Sequence, residues 1–395
     1  MVAHGTPTDR DIGHFDEGLL TSRVVFGGRF ICAPDTVPRL AILAILVGWV
    51  PLIALCAFQA TAAEPMVRWI LSDVAVSCRS LAAAPLLILA MPVCLPRLSE
   101  IARNFRSSGI LSDDDFAAFD HAWSTTLRWC SFTSSDIVIV VVAYALAASI
   151  ILRVPEAEFP PWYMTGLAGG SARHSLAAWW HIGISLPLLF VLVLGWIWRV
   201  ILWWRFLYLV SRLELRLVPS HPDHTAGLRF VGYSVQSFSL VALAFGFIVA
   251  GTAANRILYR NGDIGSLEPS VVMLVAFVLI LFVGPLIVFT PHLLRAWRRG
   301  VLEYGTIAAR LGRTFEGKWL SRDQAIDSSS LDVQDFSATT DLYQVASNVY
   351  EVRLFPVGLM SLGMLVAMTM CPFAAIALLF VPIDVVINEF IALLT

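Results

Sequence analysis

Residues 40–58 read LAILAILVGWVPLIALCAF, nineteen consecutive residues without a charge. As a helix at 1.5 Å per residue this stretch is about 28 Å long, close to the ~30 Å hydrocarbon core of a bilayer. It places the chain in the membrane class, and the rest of the composition agrees. The 395 residues are 58% hydrophobic and 14% charged, with a mean hydropathy of +0.76; soluble domains carry about 25% charged residues. Six further apolar stretches follow, at about 69–95, 137–152, 176–202, 235–254, 270–294 and 354–381. The expected fold is all-α: a polytopic helical membrane protein with about seven transmembrane helices. A short C-terminal surface or re-entrant helix follows Pro382, with Asp384 and Asn388 on one face.

The arginines set the orientation. Counting Lys plus Arg by loop puts 21 on one set of alternating segments and 5 on the other, with Arg79 inside a span. This bias predicts a cytosolic N-terminus. The organisation that follows is a cytosolic tail over 1–38, with a possible interfacial segment at 19–31, and a six-span membrane domain over 39–294. That domain carries cytosolic loops at 96–135 and 203–234. A cytosolic helical segment spans 295–353, and the seventh span with the C-terminal helix spans 354–395. Arg295, Arg298 and Arg299 fall at the membrane edge, where anionic lipid headgroups are the expected partners. Ser112, before Asp113, Asp114 and Asp115, reads as a helix N-cap. The N-terminus lacks the basic-then-apolar pattern of a cleavable signal peptide, so the first span is expected to direct insertion.

Several classes are disfavoured. A net charge of -2 argues against a nucleic-acid partner. The six cysteines form no C-x-x-C pair and no zinc spacing, and read as small core hydrophobes. There is no phosphate-binding glycine loop, nucleophile elbow, H-E-x-x-H or dinucleotide fingerprint, and no visible inverted repeat.

Three places carry candidate chemistry. The loop Pro219-Ser220-His221-Pro222-Asp223-His224-Thr225-Ala226-Gly227-Leu228 joins the two most apolar halves. His221, Asp223 and His224 are ordinary metal ligands, and a metal at His221/His224 is one reading. The others are a cap, in which Asp223 or Thr225 accepts amide N–H groups of the next helix, and pH sensing by the histidines. The second place is the intramembrane pair Asp73 and Arg79. Ionisable groups inside a span are costly and point to function. On a regular helix, six residues place the two about 9 Å and roughly 240° apart. Each then needs a partner elsewhere: His181 for Asp73, and Asp384 or Glu389 for Arg79. The competing reading has the second span starting late and Arg79 reaching to the headgroups. The third place is His174 and His181, seven residues apart and read as core or interfacial histidines. Trp179, Trp180, Trp196, Trp198, Trp203 and Trp204 are expected to mark the membrane interfaces. Ala143-x-x-x-Ala147 and Gly246-x-x-x-Ala250 are small-residue faces that permit close helix approach, either within one chain or between protomers of a homo-oligomer.

The blocks Phe315-Glu316-Gly317-Lys318-Trp319, Leu331-Asp332-Val333-Gln334-Asp335-Phe336 and Asn348–Pro356 form a C-terminal pattern. With the His-Pro-Asp loop, this pattern resembles a family of uncharacterised bacterial polytopic inner-membrane proteins over about residues 215–395. The resemblance implies a bacterial inner membrane and a shared layout, and it implies no activity. Where related sequences favour a Ser-Leu-Ala-Asp-like run, this chain has Phe336-Ser337-Ala338-Thr339-Thr340-Asp341. Three functions remain open: permeation of an ion or small solute through the polar intramembrane groups, a membrane scaffold or sensor with a cytosolic partner, and a metal-dependent membrane enzyme at the loop.

Overall fold

A computed structural model of the chain describes residues 36–60, 65–130, 133–153, 159–165, 173–260, 268–320 and 335–380. The segment at 19–31 and the C-terminal helix with Asp384 and Glu389 lie outside these residues. The described chain is almost entirely helical, and its strands are limited to the two-residue pair Met164–Thr165 and Arg173–His174. Among the described residues, seven helices are long and apolar enough to cross a membrane: Thr36–Gln59, Val74–Ser107, Ser134–Arg153, Leu176–Ser211, Arg229–Tyr259, Glu268–Gly317 and Leu359–Ile376. The fifth span is the most buried and packs on the second and seventh; the third is the least buried and leans on the fourth.

Three boundaries differ from the sequence expectation. The second span starts at Val74 rather than near Trp69, because Trp69 belongs to a separate short helix, Met66–Leu71. The chain turns at Ser72, and Asp73 caps the new helix by accepting the Val76 amide at 3.0 Å. Apolar content alone does not register such a break, since both pieces are hydrophobic. The sixth span does not stop at Leu294; its helix Thr290–Trp319 runs on past the membrane edge. Helix Asp335–Tyr350 folds back against it. The seventh span begins at Leu359 rather than Leu354. Pro356 disfavours helical geometry in the residue before it, so 354–358 stay irregular.

Prolines determine where the spans depart from regular helix. A proline lacks the N–H that would bond the carbonyl four residues earlier. Pro51 therefore leaves the Val47 carbonyl free, and Trp180 Nε1 donates to it at 3.1 Å. Pro187 frees the Gly183 carbonyl, which accepts from Tyr144 Oη at 3.2 Å. Pro285 frees the Leu281 carbonyl, which accepts from Trp204 Nε1 at 2.9 Å. Lipid offers no hydrogen-bond partner, so such carbonyls need one from the protein. Two of the prolines, Pro85 and Pro187, directly follow π-helical turns, Cys78–Ala83 and His181–Ser185. The wider turn shifts the bonding register ahead of the missing donor. These two turns carry Arg79 and His181.

Close packing matches the small-residue faces. A side chain at Gly246 would lie 2.5 Å from the Thr369 carbonyl oxygen, and one at Gly251 would lie 2.7 Å from Cys78 Cβ. The fifth span therefore touches its neighbours backbone to backbone. Ala143 and Ala147 are buried where the third span meets the fourth. The tryptophans do not all sit at interfaces. Trp196 is fully buried and donates to the Leu87 carbonyl at 2.8 Å.

At the arginine-rich end, Ser112 is not a cap. Its hydroxyl accepts from Arg216 at 3.0 Å, while Asp115 Oδ2 accepts the Glu214 amide at 3.0 Å. Together with the bridge between Leu111 and Leu215, these bonds bind loop 108–115 to the segment after the fourth span. The hairpin Thr290–Trp319/Asp335–Tyr350 docks there too. Pro219 packs against Gly300, and Asn348 Nδ2 donates to the Ser220 carbonyl at 3.5 Å.

Candidate functional site

Asp73 stands at the mouth of the second span and is 3% exposed. Its Oδ1 accepts from the Val76 amide at 3.0 Å and from Asn255 Nδ2 at 2.7 Å, and its Oδ2 accepts from Trp162 Nε1 at 2.9 Å. Asn255 returns the favour through its own oxygen, which accepts the Val74 amide at 3.0 Å and the Ala75 amide at 3.3 Å. One side chain from the fifth span thus satisfies orphan donors at the start of the second. Asp73 is a structural carboxylate whose acceptor capacity is taken up by the protein.

Arg79 lies in the π-helical turn below it. Its Nη2 donates to Thr252 Oγ1 at 2.9 Å, and the Thr252 proton goes to the Ile248 carbonyl at 2.9 Å. This is the guanidinium's one hydrogen bond among the described residues, although Arg carries five N–H donors. His181 Nδ1 hydrogen-bonds Tyr163 Oη at 2.8 Å and is 4% exposed. The partner expected for Asp73 is therefore not the one found: Asp73 takes Asn255 and Trp162 rather than His181. Arg79 takes Thr252, while its expected partners Asp384 and Glu389 lie outside the described residues. The second span does start late, at Val74. His174 and His181 are not two turns apart on one helix, since His174 lies in the strand Arg173–His174.

Asp73, Arg79 and His181 nonetheless line one cavity of about 560 Å³. The break at Asp73 and the π turn undo the rotation a regular helix would impose. Thr252, Asn255, Arg256 and Tyr259 supply the opposite wall. Their i, i+3, i+4, i+7 spacing puts them on one face of the fifth span. Tyr163 and Phe159 close the cavity from the segment between the third and fourth spans. That segment is pinned by Ser175, whose Oγ donates to the Trp162 carbonyl at 2.8 Å. The polar stripe was visible in the sequence at the end of the fifth span, which continues past Ala254; Trp162 and Tyr163 gave no periodic signal.

Below this cavity is a second pocket of about 10 Å³, bordered by Arg79, His181, Ser80, Ser185 and Gly48. That is room for at most one water. Ser185 Oγ donates to the Gly48 carbonyl at 2.9 Å, and Ser80 Oγ donates to it at 3.5 Å. A further cavity of about 510 Å³ opens at the arginine-rich end, lined by Arg97, Glu100, Asn104, Tyr233 and Gln236.

The His-Pro-Asp loop has a different character. Asp223 Oδ1 accepts the Thr225 and Gly227 amides at 2.9 and 3.0 Å. Its Oδ2 accepts Thr225 Oγ1 at 2.9 Å and the Arg229 amide at 3.1 Å. Burial pushes its acid constant up, but these hydrogen bonds outweigh burial and hold the carboxyl below its usual value. The bonds stabilise an unusual backbone, with φ of 55° at His224, 53° at Ala226 and 97° at Gly227. The His224 carbonyl accepts the Arg353 amide at 2.7 Å, which ties the loop to the entry of the seventh span. His221 Nδ1 sits 2.9 Å from Asp223 Oδ1, and His224 Nδ1 sits 3.6 Å from Glu351 Oε2. Among the described residues no three His, Cys, Asp or Glu side chains are grouped to hold a metal. Of the edge arginines, Arg299 donates to the Leu217 carbonyl at 3.1 Å and Arg295 to the Pro291 carbonyl at 3.3 Å; both, like Arg298, are exposed. Comparison of the chain with family models, with curated proteins and with solved structures gave no match.

Proposed function

We propose that this protein carries an ion or small solute across the membrane, with Arg79 and His181 at the constriction. One observation carries the reading: these two side chains border both the 560 Å³ cavity and the 10 Å³ pocket beneath it. They are polar groups set as a partition inside a span, where lipid-facing polarity is costly. The 510 Å³ cavity at the other end supplies a second mouth. Between the two, Leu87 and Trp196 are fully buried and joined by the Trp196 Nε1 bond to the Leu87 carbonyl, which we read as an occluded conformation. On the arginine bias we place the larger cavity away from the cytosol and the N-terminus in it, and the resemblance noted in the sequence implies a bacterial inner membrane. The test is solute flux into proteoliposomes with the wild-type chain and Arg79→Leu. Flux that depends on Arg79 supports the reading; flux unchanged by the substitution removes it.

A second reading, a scaffold or sensor with a cytosolic partner, is favoured by the hairpin. It projects from the membrane domain and exposes Leu302, Ile307 and Tyr343. Deleting 300–350 then abolishes a pull-down interaction while the protein still inserts. A metal-dependent enzyme at His221, Asp223 and His224 has the weakest support, since both Asp223 oxygens already accept loop hydrogen bonds. A stoichiometric metal in protein purified without chelator would restore it.

A further inference from the structure

We infer that the 560 Å³ cavity binds a small organic monoanion, with its oxyanion on Arg79 and its apolar body against the aromatic wall. The inference deepens the permeation reading and rests on it for the role of the cavity in transport, though not for binding itself.

The argument starts from donors and acceptors. Among the described residues, three formal charges line the cavity: Asp73, Arg79 and Arg256. The Asp73 carboxylate is turned into the protein, with Asn255, Trp162 and the Val76 amide on its two oxygens. It offsets part of the arginine charge but offers little to a ligand. Arg79 is the reverse. It has one hydrogen bond, to Thr252, and no ion pair among the described residues. Arg256 is exposed at the rim, one turn beyond Thr252 on the same helix face. Among the described residues the cavity therefore offers donors in excess of acceptors and a net positive lining. A guanidinium presents its N–H groups as a planar fork that matches an oxyanion with two coplanar oxygens.

Size and walls narrow the class. A volume near 560 Å³ is within the usual range for small-molecule sites. Trp69, Ile150, Phe159 and Tyr163 supply apolar and aromatic surface. A bare inorganic anion would leave that surface in contact with water, whereas a carboxylate with a compact apolar body covers it. The two π-helical turns fit a binding role, since such turns recur at functional sites. An anionic lipid headgroup shares the oxyanion chemistry, so the source has to be separated by experiment.

The experiment is isothermal titration calorimetry on the full chain in zwitterionic nanodiscs, using benzoate, acetate and inorganic phosphate as probes and benzamide as the neutral counterpart of benzoate. Benzoate is expected to bind at least tenfold more tightly than benzamide and more tightly than acetate. Arg79→Gln should remove that preference, Arg79→Lys should retain part of it, and Arg256→Gln should weaken it by a smaller factor. Melting temperatures identify any variant that has lost its fold. Because Arg79→Lys keeps the positive charge, it keeps the test valid if Arg79→Gln does not fold: partial retention of the benzoate preference supports the proposal, and its complete loss in folded Arg79→Lys protein contradicts it. In nanodiscs containing phosphatidylglycerol, displacement of benzoate identifies the oxyanion as a lipid headgroup, and undiminished binding identifies a soluble anion. Equal binding of benzoate and benzamide, no binding by any anion, or a preference untouched by Arg79→Gln overturns the inference. Anion binding without flux would leave this site standing and remove the transport reading. Arg79-dependent flux of a cation or neutral solute without anion binding would do the opposite.

Discussion

The cavity and the His-Pro-Asp loop are each built around a carboxylate, and they differ in what surrounds it. Asp73 and Asp223 both accept hydrogen bonds from neighbouring amides and from side chains; Asp73 caps a helix, whereas Asp223 holds a loop and reaches the Arg229 amide at the start of the next helix. Beside Asp73 lies an arginine with unused donors and a 560 Å³ cavity. Beside Asp223 lie two histidines that lean on carboxylates at the protein surface. A dense cluster of reactive residue types is thus no guide by itself. The useful question is which groups still have bonding capacity after the fold has used what it needs.

The largest effect expected is from Asp73→Leu. It leaves Trp162 Nε1 and Asn255 Nδ2 buried without their acceptor and removes a helix cap, a loss of about 4 kcal/mol. Collapse of the folded yield or a large fall in melting temperature checks this, and a near-neutral result would show that Asp73 is not structural. Asp223→Ala is expected to cost about 3 kcal/mol, because four hydrogen bonds that hold a strained backbone disappear together. The same melting measurement applies. Arg79→Gln should cost less than about 1 kcal/mol, since one hydrogen bond is lost, yet should abolish solute handling. If Arg79→Gln proves the more destabilising of the two, the contrast between the regions is reversed.

The acid response sharpens the same contrast. Asp223 has a folded acid constant below its unfolded one, so its contribution is full above about pH 4 and is lost as pH falls through the folded value. Melting temperature followed from pH 6 downward should fall over that window in the wild type and flatten in Asp223→Asn. A small effect is also expected from Trp204→Phe, which strands the Leu281 carbonyl that Pro285 leaves open, at a cost of about 1 kcal/mol. It serves as a control outside both regions.

The spans were legible because length, hydropathy and the alternating arginine count are independent signals that agree. The cap at Asp223 was legible because Asp and Thr before a helix start have a local meaning. The cavity was legible only in its ionisable members. A regular-helix rotation separates Asp73 from Arg79; the break that reunites them is set by the Asp73 cap, and the π turn precedes Pro85, which the sequence marks only as a kink. Thr252, Asn255 and Arg256 were spaced on one face but lay across the expected end of their span. Trp162 and Tyr163 belong to a single 3-10 turn, Pro161–Tyr163, whose position depends on tertiary bonds, such as the one from Ser175, that no local pattern encodes.

The central claim is that Arg79 guards a route through the membrane, and flux in proteoliposomes tests it most directly. Wild-type chain and Arg79→Leu, reconstituted at equal density and compared with empty liposomes, are assayed with a panel of ions and small organic solutes. The account predicts uptake by the wild type above the empty-liposome background, and its loss in Arg79→Leu protein that is still folded. No uptake of any solute by folded wild type, or uptake unchanged by the substitution, would contradict it.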